Sequence, residues 1–320
     1  MRYGWISAED VRRLTPMPQL IAAIERAFAA PPIAPARMSH AVSDGHGGEG
    51  HLLLMPAWHE GGHIGIKILT VLPWLGAQGK PAIQASYVIS NARSGELLAV
   101  MDGGAITSRR TAATSALASR YLSRPDSKTL LVVGAGALAA PLIEAHRTVR
   151  PLERVLVWAR RPERGEVVAR AAKASGIDAT IAMDLERAVR SADIVSCATA
   201  SHEPLVRRAW LSEGMHLDLI GAYTPRMCEV DAASVAAAAV YVDDRNSAHH
   251  EAGDLLQAEA AGLFRFDDIV ASLTELITGQ SQGRADDRSI TLFKSVGLAL
   301  EDLAAAELIL ETLDIDRQSA

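Results

Sequence analysis

The stretch Leu130-Leu-Val-Val-Gly-Ala-Gly-Ala-Leu-Ala139 decides the fold. Four apolar residues run into a glycine-rich turn, and an alanine-rich segment of helical character follows. Gly134 and Gly136 fill the first two places of a G-x-G-x-x-[GA] fingerprint, and Ala139 fills the third. In such a turn the first glycine permits the bend and the second lets the backbone approach a pyrophosphate. The small third residue lets helix and strand pack closely. The N–H groups and positive dipole end of the helix then hold the phosphates. Gly134, Gly136, Ala137 and Leu138 are therefore candidate cofactor-binding residues. Glycine-rich strand ends are common, so the context matters: a strand before, a helix after, and a second strand candidate, Arg154-Val-Leu-Val-Trp158, at βαβ distance.

That second strand bears on which dinucleotide binds. A site for NAD usually ends it with Asp or Glu, about 20 residues after the fingerprint, to accept from the ribose 2′-OH. Here the chain reads Val157-Trp158-Ala159-Arg160-Arg161-Pro162, with no acid. A guanidinium can bind a 2′-phosphate through two charge-assisted hydrogen bonds. The bland alternative is a solvated strand end. The expectation is NADP(H) with Arg160 on the phosphate, and NAD(H) as the lesser choice.

Working outward, strand candidates at 129–133, 155–158, 194–197, 216–220 and 239–242 alternate with helices to about residue 275. Such alternation predicts a Rossmann-type, doubly wound parallel sheet. Before it, residues 1 to about 30 read as helical, with Ser7-Ala-Glu-Asp10 as a cap and Leu20, Ile21, Ile24 and Phe28 as the apolar stripe. Strand patterns follow at 52–55, 63–72, 82–90 and 96–101, then a helix over about 108–122. The expectation is an α/β chain of two domains. Residues 1–123 form an α+β substrate-binding and dimerisation domain, and 124–294 a nucleotide-binding domain. A last helix, about 295–320, packs back on the first.

Composition narrows the function. The 320 residues are 49% hydrophobic, enough for a sizeable core. Lys+Arg 32 against Asp+Glu 38 gives −6, and no basic run with interleaved aromatics occurs, so no nucleic-acid partner is expected. Two cysteines offer no disulfide framework. No apolar run reaches the roughly 18 to 20 uncharged residues of a membrane span, and no signal-peptide core opens the chain. A cytoplasmic protein without a membrane partner is expected.

His59-Glu-Gly-Gly-His63 matches the H-E-x-x-H pattern of zinc proteases. That chemistry needs both histidines on one helical face. Two adjacent glycines cost about 1 kcal/mol each in a helix, and strand patterns flank the segment, so a turn is expected and no metal. Lys67 interrupts the apolar run Ile64-Gly-Ile-Lys-Ile-Leu-Thr-Val71. On a buried strand it must meet an anion or shift its pKa; alternation also allows it to face solvent. Arg109 and Arg110 open the helix read over 108–122. Cations there oppose the helix dipole unless an anion is near, or they simply point to water. Together with the nucleotide turn these cations suggest an anionic substrate.

Several segments together resemble the ornithine cyclodeaminase/μ-crystallin family over essentially the whole chain. They are Gly65-x-Lys67, Met101-Asp-Gly-Gly-Ala-Ile-Thr-Ser-Arg-Arg-Thr-Ala-Ala-Thr-Ser115, the Gly134-x-Gly136 turn, Gly221-Ala-Tyr-Thr-Pro225 with Glu229-Val-Asp231, and Thr291-Leu-Phe-Lys-Ser-Val-Gly297. The resemblance implies a two-domain homodimer that uses NAD(P) on amino acids or cyclic imines. It implies that Lys67 and Arg110 bind the substrate carboxylate, with Arg37 as a third cation, and that Lys67 donates a proton near the substrate nitrogen. Arg110, which directly precedes Thr111, is the matching arginine; Arg109 is not. Thr111 is placed at the cofactor phosphates, and Thr199, Lys294, Ser295 and Gly297 join the cofactor set.

Two departures bear on the substrate. True ornithine cyclodeaminases carry a catalytic aspartate where this chain has Ala222, and a glutamate before Met-Pro where it has Leu54. An ammonium beside Leu54 and Ala222 would lie desolvated without a partner, at a cost of several kcal/mol. The resemblance then points to reduction of Δ1-pyrroline-2-carboxylate or Δ1-piperideine-2-carboxylate to L-proline or L-pipecolate, with Lys67, Arg110, Arg37 and Ala222 around the substrate. The alternatives are an ornithine cyclodeaminase, an alanine dehydrogenase-type enzyme and a non-catalytic NADPH-binding protein.

Overall fold

The computed structural model describes residues 3–319. Met1, Arg2 and Ala320, which the sequence reading includes in its first and last helices, lie outside them. The chain divides into two compact units: residues 1–110 with 298–320, and residues 111–297. The division falls inside a helix, thirteen residues before the boundary expected from sequence at 123.

The first unit is a six-stranded sheet with helices. It opens with a strand, β1 (Gly4–Ile6), followed by α1 (Ala8–Leu14) and α2 (Met17–Ala29). The single helical block read from the sequence is thus corrected: β1 lies parallel to a later strand, and Thr15-Pro16 separates two helices. Proline cannot donate into the helix before it. The Ser7 cap is present, accepting from the Asp10 amide at 3.2 Å. The stripe Leu20, Ile21, Ile24 and Phe28 is buried. Then come β2 (Met38–Ser43), β3 (Glu49–Trp58), β4 (His63–Val71), α3 (Trp74–Ala77), β5 (Ile83–Asn91) and β6 (Leu97–Asp102). The spatial order is β1-β6-β5-β4-β3-β2, antiparallel except for the β1–β6 pair. The C-terminal helix, Ala299–Ser319, packs on α2 and on β3 and β4. Alternation along β4 therefore sorts Gly65 and Lys67 to the buried face, while Ile64 and Ile68 are 37% and 40% exposed on the other.

α4 (Gly103–Leu122) leads out of this unit. Asp102 starts it by accepting from the Ala105 amide at 2.7 Å. Gly103 is needed there, because a Cβ would stand 2.8 Å from the Ala85 carbonyl carbon.

The second unit is an eight-stranded parallel sheet with helices between its strands. Its elements run β7 (Thr129–Val133), α5 (Ala139–Val149), β8 (Arg154–Trp158), α6 (Pro162–Ala174), β9 (Ala179–Ile181), α7 (Leu185–Arg190), β10 (Ile194–Cys197), β11 (His216–Leu219) and α8 (Ala232–Ala236). They continue β12 (Ala239–Val242), α9 (Arg245–Glu251), α10 (Gly253–Ala260), β13 (Ala271–Ser272), α11 (Leu273–Ile277) and β14 (Thr291–Lys294). The order is β13-β12-β14-β11-β10-β7-β8-β9. From β9 to β11 this is the doubly wound order with its reversal between β7 and β10, where ligands of such sheets bind beyond the strand ends. β14 departs from the sequence reading, which ended the alternation near 275. Fully buried, it enters between β11 and β12. Among the described residues no helix is long and apolar enough to cross a membrane.

Candidate active site

Lys67 stands on β4 opposite Met55 of β3 and Tyr87 of β5, and is 1% exposed. Its Nζ lies 2.7 Å from Oδ2 of Asp302 on the C-terminal helix. The same carboxylate accepts from Arg110 Nε at 3.0 Å through Oδ1, and Arg110 Nη1 donates to Glu301 Oε2 at 2.5 Å. Glu301 turns its other oxygen to the Leu298 amide at 3.1 Å, at the start of its own helix. Two buried cations and two buried carboxylates thus form one cluster, as burial of charge requires.

Burial pushes the Lys67 ammonium down to about 8; Asp302 opposes this, and the nearby Arg110 and Arg37 add to it. For Arg110 burial works against the charge, but Glu301 and Asp302 outweigh it and hold the guanidinium firmly protonated. An ammonium poised near neutrality can give up a proton; the guanidinium cannot.

The dipole argument for Arg110 is corrected. The helix begins at Gly103, so Arg110 sits about two turns inside it. The anions it meets belong to the chain: Glu301 and Asp302, to which the sequence reading gave no part beyond the last helix. Two adjacent acids at the head of such a helix were the signal that could have revealed them. Arg37, in the segment between α2 and β2, is half-buried. Leu54 also departs from expectation. It pairs with Ile68, not Lys67, and so faces the opposite side of the sheet from the cluster. His59-Glu-Gly-Gly-His63 joins β3 to β4, as the turn reading expected. Both histidines approach Glu307 of the C-terminal helix, at 3.7 Å from His59 Nε2 and 3.0 Å from His63 Nδ1.

In the second unit, Gly134 has φ +118°, and a Cβ on it would stand 2.7 Å from the Ala198 carbonyl oxygen. Only glycine fits where the ends of β7 and β10 approach. Nothing lies within 4 Å of a Cβ built on Gly136, which is exposed like Ala137, with Leu138 half-buried beside it. Ala139 is fully buried, and α5 starts without a side-chain cap. An open glycine before uncapped helix N–H groups is a surface that a pyrophosphate fits. Arg160 and Arg161, both exposed, follow β8. Thr111, on α4, is buried.

A second buried polar network braces the strand ends. Glu229 accepts from the Thr199 amide at 2.6 Å, its hydroxyl at 2.9 Å and the Gly221 amide at 2.8 Å. Asp254 accepts from the Glu229 and Val230 amides and pairs with Lys294 Nζ at 2.9 Å. Burial pushes the Glu229 carboxyl up. Asp243 accepts from the Ser295 hydroxyl and from the Val296 and Gly297 amides, each at 2.8 Å. The polar groups of Thr199, Lys294, Ser295 and Gly297, expected at the cofactor, are therefore directed to Glu229, Asp254 and Asp243. In this geometry they brace the loops after β10 and β14. Ala222 is fully buried and brings no carboxylate.

The chain is similar to several proteins of known name. A Δ1-pyrroline-2-carboxylate reductase of Paracoccus denitrificans is 38% identical, over 81% of this chain and 83% of that one. The solved structure of Thermococcus litoralis Δ1-pyrroline-2-carboxylate reductase, in complex with NADH and L-proline, superposes with a TM-score of 0.90. It is 32% identical and covers 96% of both chains. An archaeal alanine dehydrogenase dimer with bound NAD has the same TM-score at 30% identity, covering 99% of this chain and 98% of that one. The profile of one family matches residues 5–316, and the chain belongs to it: the ornithine cyclodeaminase/mu-crystallin family.

Proposed function

We propose that this chain is a nicotinamide-dependent imine reductase that converts Δ1-pyrroline-2-carboxylate, and its six-membered homologue Δ1-piperideine-2-carboxylate, to L-proline and L-pipecolate. The observation that carries this reading is the buried Lys67–Asp302–Arg110–Glu301 cluster, in a chain related to reductases of that name. When bound, the nicotinamide supplies the hydride. The protein supplies position and a proton. The substrate carboxylate is drawn by Arg110, Arg37 and Lys67, and the Lys67 ammonium holds a proton for the ring nitrogen. Fixing the imine carbon in line with the hydride donor supplies much of the rate. The Gly134–Ala139 turn holds the pyrophosphate, and Arg160 favours NADPH over NADH. The chain works as a homodimer. In support, Met38, Ile64 and Ile68 leave the outer face of the first unit's sheet apolar and 37–45% exposed.

The likeness to the alanine dehydrogenase favours a second reading, in which the imine forms from pyruvate and ammonia. Ornithine is disfavoured, because Ala222 offers its second amine no carboxylate. One panel decides: NADPH and NADH oxidation with both cyclic imines and with pyruvate plus ammonia, and ammonia release from L-ornithine. Reduction of the cyclic imines at the highest kcat/KM is expected. Faster turnover of pyruvate with ammonia, or of ornithine, would overturn the reading.

A further inference from the structure

Asp302 is fully buried, and its one carboxylate spans two cations that belong to different elements. Oδ2 lies 2.7 Å from Lys67 Nζ on β4, and Oδ1 accepts from Arg110 Nε on α4 at 3.0 Å. The local sequence explains how it comes to stand there. Glu301 and Asp302 fall in the first turn of the C-terminal helix, where the dipole favours negative charge. Neighbouring residues on a helix diverge by about 100°, so the two acids are aimed differently. Glu301 accepts from Arg110 Nη1 and, through its other oxygen, from the Leu298 amide. A glutamate that reaches back in this way fixes where the helix begins, and so fixes the place of Asp302 beside it. The charged groups around the Lys67 ammonium are Asp302, Arg110 and Arg37, with the Tyr87 phenol opposite on β5. Burial and the two guanidinium groups work against its proton, and Asp302 works for it.

We propose that Asp302 is a positioning residue for imine reduction: it aims the Lys67 ammonium and sets its spacing from the Arg110 guanidinium. This deepens the reductase reading and rests on it. In a cyclic 2-imino acid the ring nitrogen and the carboxylate are attached to one carbon. The proton donor and the guanidinium that takes the carboxylate must therefore stand side by side. A rigid, planar carboxylate in contact with both cations imposes that spacing. In the reaction a hydride from the nicotinamide goes to the imine carbon, and a proton from Lys67 Nζ goes to the nitrogen. The lysine is left a neutral amine, and it takes a proton from water once the product leaves. Asp302 touches neither reacting atom and acts through Lys67 and Arg110. A carboxylate that merely balanced buried charge would serve from any nearby place; one that positions cannot be moved.

Two substitutions separate place from charge. Asp302→Glu keeps the charge and moves it by one methylene group. It is expected to lower kcat for the cyclic imines roughly tenfold or more, with a smaller change in KM. Asp302→Asn keeps the shape and removes the charge. Its kcat/KM is expected to fall at a pH about one unit or more below the wild-type fall, because the anion that opposes burial at Lys67 is gone. A merely structural role would lower the rate at every pH and leave the fall in place. Wild-type kcat in Asp302→Glu overturns the proposal, and so does an unmoved fall in a folded Asp302→Asn. Should Asp302→Asn not fold, Asp302→Glu decides. Lys67 is also read without substrate, by titrating the full chain labelled with 15N-lysine, whose other lysines are Lys80, Lys128, Lys173 and Lys294. The same downward displacement is expected at Lys67 in Asp302→Asn, with exposed Lys128 unmoved. If the wild type reduces no imine, the reductase reading fails. The titration then still decides the pairing: an undisplaced Lys67 overturns it, and a displaced one upholds it.

Discussion

At the scale of single residues, Lys67 and Arg110 differ in kind. With Lys67 near 8, its proton is present below that pH and lost above it. The kcat/KM for imine reduction should therefore fall as pH rises through about 8, and Lys67→Gln should lose most activity together with that limb. A pH–rate profile level from 7 to 10 would remove Lys67 from the proton step. Arg110 does not titrate in this range, and its contribution is partly structural. Arg110→Ala would leave Glu301 and Asp302 buried with one partner fewer, a loss worth about 3–5 kcal/mol. Urea unfolding should show that loss even without substrate. Unaltered stability would mean that the carboxylates find other partners. Arg160, exposed at the end of β8, carries no such load. Arg160→Ala should raise KM for NADPH several-fold while leaving that for NADH nearly as it was, and an equal rise in both would refute the 2′-phosphate contact.

At the scale of elements, what was legible follows from the range of the forces involved. The β7 turn was readable because its requirements are local: Gly134 must take φ +118°, and Ala139 must be small. β4 was readable from its apolar run, yet the face taken by Lys67 was not, because the C-terminal helix decides it from more than two hundred residues away. β14 was missed for a related reason. Thr-Leu-Phe-Lys is short, ends on a lysine and shows no alternation, and its burial depends on β11 and β12. The lysine is tolerated only because Asp254 pairs with it. Glu229 was noticed merely as part of a motif, although it ties the loops after β10 and β11 together. Glu229→Ala would strip acceptors from Thr199 and Gly221 and leave the Asp254–Lys294 pair with fewer neighbours. A loss of about 2–5 kcal/mol is expected from the removed charge-assisted bonds, with a raised KM for the dinucleotide. A variant as stable as the wild type would show that water replaces the carboxylate there.

At the scale of the whole molecule, acid sensitivity can be traced to buried imidazoles. Burial, with the charges of His146, Arg284 and Arg150, holds His216 well below the usual histidine range; only a hydrogen bond to the Thr291 backbone works the other way. A group whose folded pKa is depressed binds its proton more readily when unfolded. Its stabilising effect is therefore full above about 6.5 and is lost as pH falls below that value. His216→Asn should flatten the decline of Tm between pH 7 and 5 relative to the wild type; equal slopes would assign the decline to other groups.

The position of β14 has a further consequence, for the order in which the chain can fold as it is made. β11 and β12 lack their shared neighbour until residues 291–294 exist, and Lys67 lacks Asp302 until the following helix exists. Synthesis from the N-terminus cannot complete either unit early, although chains of two units commonly fold the first while making the second. A nascent chain halted at residue 290 should remain protease-sensitive throughout, with two unpaired strand edges for chaperones to shield. Release of the last segment should then close both units almost together.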